Sequence, residues 1–137
     1  MSFLDALASS IATAEGYFVT GSLSFNLSNP GDLMYAGQPY AAPHPVTGKD
    51  GKVRTFAQFA RQTQGIVALY RQILVRVAQG ASLRKLICDP VVGWAPDADG
   101  NNSSNYLTET LRRLASVGVT VDPDAPLWQY LGVQRIS

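Results

Sequence analysis

The chain has 137 residues, of which 46% are hydrophobic and 15% charged, and its 11 basic and 10 acidic side chains leave a net charge of +1. This length and composition predict a single folded domain over residues 1–137. The balanced charge argues against a dedicated nucleic-acid binder, and the lack of a long apolar run argues against membrane insertion.

The first predicted element is a helix from about Phe3 to Glu15, with Ser2 and Asp5 as a capping pair and Gly16 as its end. The N-terminal segment contains no Lys or Arg, which is not the pattern of a secretory signal. We therefore expect a protein that is made in the cytoplasm without a secretion signal.

Glu15 lies on the apolar face of this predicted helix. The other members of that face, at helical spacing, are Leu4, Leu7, Ala8 and Ile11. A carboxyl at a helix end beside apolar side chains is hard to ionise, so its pKa is expected to rise. A raised pKa is what a general acid needs near neutral pH, which makes Glu15 the main catalytic candidate. The alternative is a structural acid, forming a cap or an ion pair with an arginine such as Arg54 or Arg61.

The segment from Tyr17 to Leu27 is predicted to be irregular, and Ser28-Asn29-Pro30-Gly31-Asp32-Leu33 is a turn signal. Asn29 either holds this turn through its side chain or binds substrate. Asp32 is either a turn residue or a second acid that acts as a nucleophile or an electrostatic stabiliser.

The remaining elements are mostly helical. Residues 33–35 and 53–56 are expected to pair as a small hairpin around a solvent-exposed loop from His44 to Lys52. Cys88 is the only cysteine, so no internal disulfide is possible, and its thiol is expected to be buried. One His and one Cys cannot form an ordinary zinc site, so no metal is predicted, and no cofactor is predicted either. Further helices are predicted over Gln62 to Gln79, Ser82 to Cys88, Ser103 or Ser104 to about Ser116, and around Leu127 to Leu131. The predicted fold class is mainly α with a small β-hairpin element.

Aromatic and amide side chains concentrate in the loops. Aromatic rings stack on sugar faces, and amides hydrogen-bond to hydroxyl and acetamido groups, so this mixture suits a glycan cleft. The candidates for substrate binding are Tyr17, Asn29, Tyr35, Asn102 and Tyr106. For Tyr106 the alternative is a side chain that only packs.

Short motifs follow one another in a definite order along nearly the whole chain. They are Ala14-Glu15-Gly16-Tyr17-Phe18, Ser28-Asn29-Pro30-Gly31-Asp32-Leu33, Phe56-Ala57-Gln58-Phe59, Ser82-Leu83-Arg84-Lys85-Leu86-Ile87, Trp94-Ala95-Pro96, Asn101-Asn102-Ser103-Ser104-Asn105-Tyr106-Leu107 and Val121-Asp122-Pro123-Asp124-Ala125-Pro126-Leu127. This order resembles a group of small lysozyme-like proteins of phages and prophages that are related to lytic transglycosylases. The resemblance implies a lysozyme-like helical fold and assigns the essential glutamate of that family to Glu15.

Two positions depart from the family pattern. The family has a pair of asparagines before the proline, where this chain has Ser28-Asn29. The family also has an asparagine after the glycine, where this chain has Asp32. The second departure adds an acid where an amide is usual.

The resemblance implies cleavage of the β-1,4 bond between N-acetylmuramic acid and N-acetylglucosamine in peptidoglycan glycan strands. Glu15 would protonate the leaving oxygen. Either the muramyl 6-hydroxyl then attacks, with Glu15 as base, or water completes a hydrolysis supported by Asp32.

Two alternatives remain open. One is a non-catalytic phage-particle structural or cell-wall-binding protein that keeps the fold. The other is a toxin-like wall hydrolase that a secretion machine delivers. Delivery to the cell wall is expected through a holin, within a virion or by injection, with a phage particle or delivery machine as a partner.

Overall fold

Two helices come first along the chain, a small sheet follows them, and the remaining helices come after the sheet. A computed structural model describes residues 2–97 and 101–132. Its elements are the helices α1 (Phe3–Ala14), α2 (Leu23–Asn26), α3 (Gln62–Ala78), α4 (Leu83–Cys88) and α5 (Ser103–Ser116), the strands β1 (Ala41–Thr47) and β2 (Val53–Phe59), and a 3₁₀ helix (Leu127–Tyr130). Within the described residues, none of the helices is long and apolar enough to cross a lipid bilayer.

The fold class is mixed α/β, and the prediction of a mainly α, lysozyme-like helical domain is wrong. Helices make up 45% of the structure and strands 13%, and the five helices accompany a two-stranded antiparallel sheet. The error comes from residues 41–47, whose Ala-Ala-Pro-His-Pro sequence is typical of a loop but forms β1.

The two prolines of β1 occupy positions that a strand can tolerate. β1 and β2 pair antiparallel along their full length. Gly48 directly follows β1, and its N–H donates to Lys52 O at 2.8 Å. Hydrogen-bonded and non-hydrogen-bonded pairs alternate along antiparallel strands, so the even-numbered residues of β1 form the hydrogen-bonded pairs. Pro43 and Pro45 stand at the odd positions, where the missing N–H removes no bond to β2.

A third short stretch borders the other edge of β2. Met34 pairs with Phe56 in an isolated antiparallel bridge. Two backbone hydrogen bonds flank this bridge: Ala57 N–H donates to Leu33 O, and Tyr35 N–H donates to Thr55 O, each at 2.9 Å. The predicted pairing of residues 33–35 with this part of the chain is therefore confirmed, although the hairpin itself joins β1 to β2.

The internal contacts divide the chain into two compact units. The terminal unit consists of Met1–Ser10 and Gln72–Ser137, and the central unit consists of Ile11–Arg71. In the terminal unit, α4 packs on α5. In the central unit, the inner face of the sheet packs on α3 through a cluster of Ala57, Phe59 and Ala68, with Leu33 and Ala41 beside it. A single domain over residues 1–137 stays a prediction.

Candidate active site

Helix α1 ends in a left-handed glycine cap directly after Glu15. Gly16 has a φ of +78°. The N–H groups of Gly16 and Tyr17 donate to the carbonyls of Thr13 (3.1 Å) and Ala12 (3.0 Å). This pair of bonds is a Schellman motif, which glycine permits because it has no Cβ. Glu15 is thereby held at the helix end, as predicted, with a half-buried side chain.

Two serines satisfy the carbonyls at this helix end. Ser24 Oγ donates to Glu15 O at 2.9 Å, and Ser22 Oγ donates to Gly16 O at 2.7 Å. Ser22 Oγ also accepts from Phe25 N–H at 3.1 Å, which caps the N-terminus of α2. The segment predicted to be irregular thus contains a helix of one turn. Sequence reasoning missed it because a helix this short depends on tertiary packing rather than on propensity.

Asn29 holds the turn that carries Asp32. Its fully buried side chain makes three hydrogen bonds. Nδ2 donates to Leu33 O at 3.0 Å and to Ala57 O at 2.8 Å, and Oδ1 accepts from Leu33 N–H at 2.9 Å. The bond to Ala57 ties the turn to β2. These contacts give Asn29 the turn-holding role, one of the two roles that the sequence offered.

Helix α3 packs directly on the same turn through Gly65. A Cβ at this position would overlap the carbonyl oxygen of Ser28 and lie 3.0 Å from Pro30 Cδ. Only glycine lets the helix backbone approach the turn this closely. The turn is therefore fixed from two sides, by the Asn29 amide and by the backbone of α3.

Asp32 ends this turn with a carboxyl oxygen that lacks a partner. Its Oδ1 is buried and has no hydrogen bond among the described residues. Burial raises the pKa of this carboxyl to about 6, because the charged form loses hydration without compensation. The backbone has a φ of +50°, an uncommon conformation that aspartate and asparagine tolerate better than most residues. The carboxyl of Asp32 therefore stays protonated up to about pH 6 and ionises above it.

One chain of hydrogen bonds joins the backbones of the two acids. Ser24 Oγ donates to Glu15 O, and Asn29 N–H donates to Ser24 O at 2.9 Å. Asp32 N–H in turn donates to Asn29 O at 2.9 Å. The central unit therefore holds Glu15 and Asp32 in a single network.

The two tyrosines predicted to bind substrate in the central unit differ in exposure. Tyr17 is only 8% exposed, and its hydroxyl is buried without a hydrogen-bond partner in the described part of the chain. Burial also raises the pKa of Tyr17. Its ring meets Phe18 edge-on, with the centroids 5.4 Å apart. Tyr35 lies beside the sheet and is 40% exposed, so it offers more surface to a ligand.

The other two predicted binding residues, Asn102 and Tyr106, belong to the terminal unit. Asn102 is the N-cap of α5, and its side-chain oxygen accepts from Asn105 N–H at 3.0 Å. Tyr106 is half-buried in the first turn of α5, and its carbonyl accepts from Thr110 Oγ1 at 2.8 Å. Asn102 therefore has a capping role, which an asparagine directly before a helix commonly takes.

The remaining chemistry-bearing side chains have structural contacts. Arg54, which was considered as a partner of Glu15, pairs with Asp50 across 3.3 Å. The Cys88 thiol donates to Ser103 O at 3.6 Å, and burial raises its pKa. Within residues 2–97 and 101–132, no three His, Cys, Asp or Glu side chains are grouped to hold a metal ion. No protein-family model, curated protein or solved structure matches the chain.

Proposed function

We propose that this protein cleaves the β-1,4 bond between N-acetylmuramic acid and N-acetylglucosamine in peptidoglycan. The observation that carries the proposal is the buried Oδ1 of Asp32, which has no hydrogen-bond partner in the described part of the chain and lies in the unit that also holds Glu15. An acid that folding leaves desolvated and unpaired costs stability, so its retention favours a role in chemistry. The order of motifs along the chain supports peptidoglycan as the substrate.

In this mechanism Glu15 donates its proton to the bridging glycosidic oxygen. Positive charge then develops on the sugar ring as the bond breaks. The ionised Asp32 carboxylate interacts favourably with that charge, because burial removes water from it and no described residue competes for Oδ1 through a hydrogen bond. The interaction is strongest in the transition state, which is the condition for catalysis.

The acid at Asp32 favours hydrolysis by water over the anhydro-forming route. In hydrolysis, a second carboxylate stabilises the ring cation until water attacks the ring carbon and gives a proton to Glu15, which restores the acid. In the other route, the muramyl 6-hydroxyl attacks and Glu15 alone serves as acid and base. The two routes give products that differ in mass by one water.

Delivery to the cell wall is part of the same proposal. The protein reaches peptidoglycan with the help of a holin, as part of a virion or by injection. A phage particle or a delivery machine is then its protein partner.

The test is incubation of the purified protein with purified cell walls, followed by mass analysis of the released fragments. We expect disaccharide products with a reducing end from the wild type and no such products from Glu15→Gln. Asp32→Asn is expected to lower the rate by about 100-fold, and the wild-type rate should rise as the pH increases through about 6. A wild type that releases no fragments under any of these conditions overturns the proposal.

A second candidate function is a non-catalytic cell-wall-binding or phage-particle protein. It is favoured by large apolar side chains that the central unit exposes, among them Tyr40 (77%), Phe18 (67%) and Val53 (61%). Exposed aromatic and apolar side chains of this size are typical of binding surfaces. Co-sedimentation with cell walls without fragment release would favour this candidate, and Tyr40→Ser should then weaken the binding.

A further inference from the structure

We propose that Ser24 is a positioning residue for both acids, setting the direction of Glu15 and the place of the turn that carries Asp32. The inference rests on the proposed function, because it assigns Ser24 to the same site. It concerns a residue whose hydroxyl binds the backbone of Glu15 and whose carbonyl is linked to Asp32 through Asn29.

The position of Ser24 between the two segments is the basis of this inference. Ser24 is 1% exposed. Its hydroxyl donates to Glu15 O at 2.9 Å, and its carbonyl accepts from Asn29 N–H at 2.9 Å. One residue therefore binds the end of α1 with its side chain and the start of the Asp32 turn with its backbone.

The bond to Glu15 O has a direct geometric consequence. The last carbonyls of a helix have no partner within the helix, so their peptide planes turn easily unless another group holds them. The hydroxyl of Ser24 fixes the peptide plane that follows Glu15. This restricts ψ of Glu15 and with it the direction in which the side chain leaves the backbone.

The bond from Asn29 N–H has the second consequence. Asn29 N–H is held by Ser24 O, and Asn29 O is held by Asp32 N–H at 2.9 Å. A shift of Ser24 is thus transmitted through one residue to the backbone of Asp32. Catalytic groups must be held within a fraction of an ångström, and a displacement of about 1 Å can cost about 100-fold in rate.

Ser22 provides a matched control in the same helical turn. Its hydroxyl donates to Gly16 O at 2.7 Å and accepts from Phe25 N–H at 3.1 Å. It also lies 3.5 Å from Ser24 Oγ. Ser22→Ala therefore removes at least as many side-chain hydrogen bonds as Ser24→Ala, but it leaves the bond from Ser24 Oγ to Glu15 O in place.

The experiment compares the wild type, Ser24→Ala, Ser24→Thr and Ser22→Ala. Thermal unfolding and far-UV circular dichroism measure the fold, and kcat and KM on solubilised glycan strands are measured well below the lowest Tm. We expect Ser24→Ala to lower kcat by about 10–100-fold with little change in KM. Ser24→Thr, which keeps the hydroxyl, should restore most of kcat, and Ser22→Ala should lower Tm without a comparable loss of kcat.

A second measurement does not depend on activity. Carbon-13 NMR titration of the Asp32 carboxyl gives its ionisation midpoint, which is about 6 when the carboxyl is buried. Ser24→Ala should move this midpoint toward the ordinary value of an aspartate. Without the bond to Glu15 O, Ser24 can shift, and its carbonyl then moves Asn29 and the Asp32 turn and lets water reach the carboxyl. Ser22→Ala should leave the midpoint unchanged.

The outcomes separate the two proposals. If the wild type releases no glycan fragments, the proposed function is overturned, and the NMR titration alone decides whether Ser24 positions Asp32. If the wild type is active, equal kcat values and equal Asp32 midpoints in Ser24→Ala and Ser22→Ala overturn the role of Ser24 and leave the function intact.

Discussion

Two aspartates in polar loops, one in each unit, have opposite surroundings. Asp97 Oδ1 accepts from Ser103 N–H at 2.9 Å and from Ser103 Oγ at 2.8 Å, and these bonds lower the pKa of Asp97. Asp32 Oδ1 is buried and finds no partner among the residues that the structure describes, and burial raises the pKa of Asp32 to about 6. The first carboxylate stabilises the start of α5, whereas the second is destabilised by the fold that holds it.

The difference separates a structural acid from a candidate functional one. A loop aspartate is commonly a cap or a turn residue, and Asp97 fits that role fully. Asp32 closes its turn through its backbone N–H, which donates to Asn29 O, and its side-chain Oδ1 makes no hydrogen bond to any described residue. Substitutions of the two aspartates, and of the residues that hold the Asp32 turn in place, test this contrast.

Gly65→Ala has the largest expected effect, because its Cβ would overlap Ser28 O. Moving α3 off the turn should lower the free energy of unfolding by more than about 3 kcal/mol, as measured by urea denaturation. Gly132→Ala is the control, since a Cβ there meets nothing within 4 Å. Equal stability of the two variants would show that α3 does not support the turn.

Asn29→Ala comes next, because it removes three buried hydrogen bonds and leaves their backbone partners unsatisfied. The expected loss is about 3 kcal/mol in the free energy of unfolding. Asn102→Ala removes a single exposed capping bond and should cost about 1 kcal/mol. Thermal or urea unfolding of both variants measures the difference, and similar losses would contradict the buried role of Asn29.

Asp32→Asn should stabilise the protein in a pH-dependent way. The folded-state pKa of about 6 lies above the ordinary value of 3.8. Below about pH 4 the carboxyl is protonated in both the folded and the unfolded state, so it costs no stability. As the pH rises from about 4 through 6, the unfolded state ionises first, and the free energy of unfolding falls. The asparagine variant, which stays uncharged, should gain about 2–3 kcal/mol at pH 8 and little at pH 4. Urea denaturation at both pH values tests this, and a gain that is independent of pH would contradict the burial of Asp32.

Asp97→Asn has the smallest expected effect and the opposite sign. The lowered pKa means that the ionised carboxylate stabilises the fold above its ordinary pKa, and this contribution is lost as the pH falls through the folded-state value. The variant should be slightly less stable than the wild type at pH 7 and equally stable at about pH 2. Thermal unfolding at the two pH values is the measurement. A variant that is more stable than the wild type at pH 7 would remove the contrast with Asp32.

Local signals in the sequence predicted several elements well. α4 begins one residue after its predicted start at Ser82, which is its N-cap, and α5 begins at Ser103, one of its two predicted starts. The N-cap of α5 is Asn102, which had been predicted as a substrate-binding residue. The end of α1 follows from Gly16, whose positive φ closes the helix. The turn-forming role of Asn29 was also among the predicted alternatives.

Features that depend on tertiary contacts were missed. Residues 44–47 were predicted to belong to a solvent-exposed loop, but they form part of β1, and only the register shows that its two prolines face away from β2. The burial of Asp32 depends on packing across the central unit, which no local pattern encodes. The sequence therefore predicted the presence of an acid at this position but not its raised pKa.

The alternation of prolines in β1 also affects how the protein meets other chains. The outer edge of a sheet offers free N–H and C=O groups to which a strand of another molecule can add. Pro43 and Pro45 withhold two of the donors that this edge would otherwise offer. A foreign strand cannot build a continuous ladder there, so a chain with 46% hydrophobic residues is protected from edge-to-edge aggregation at high concentration.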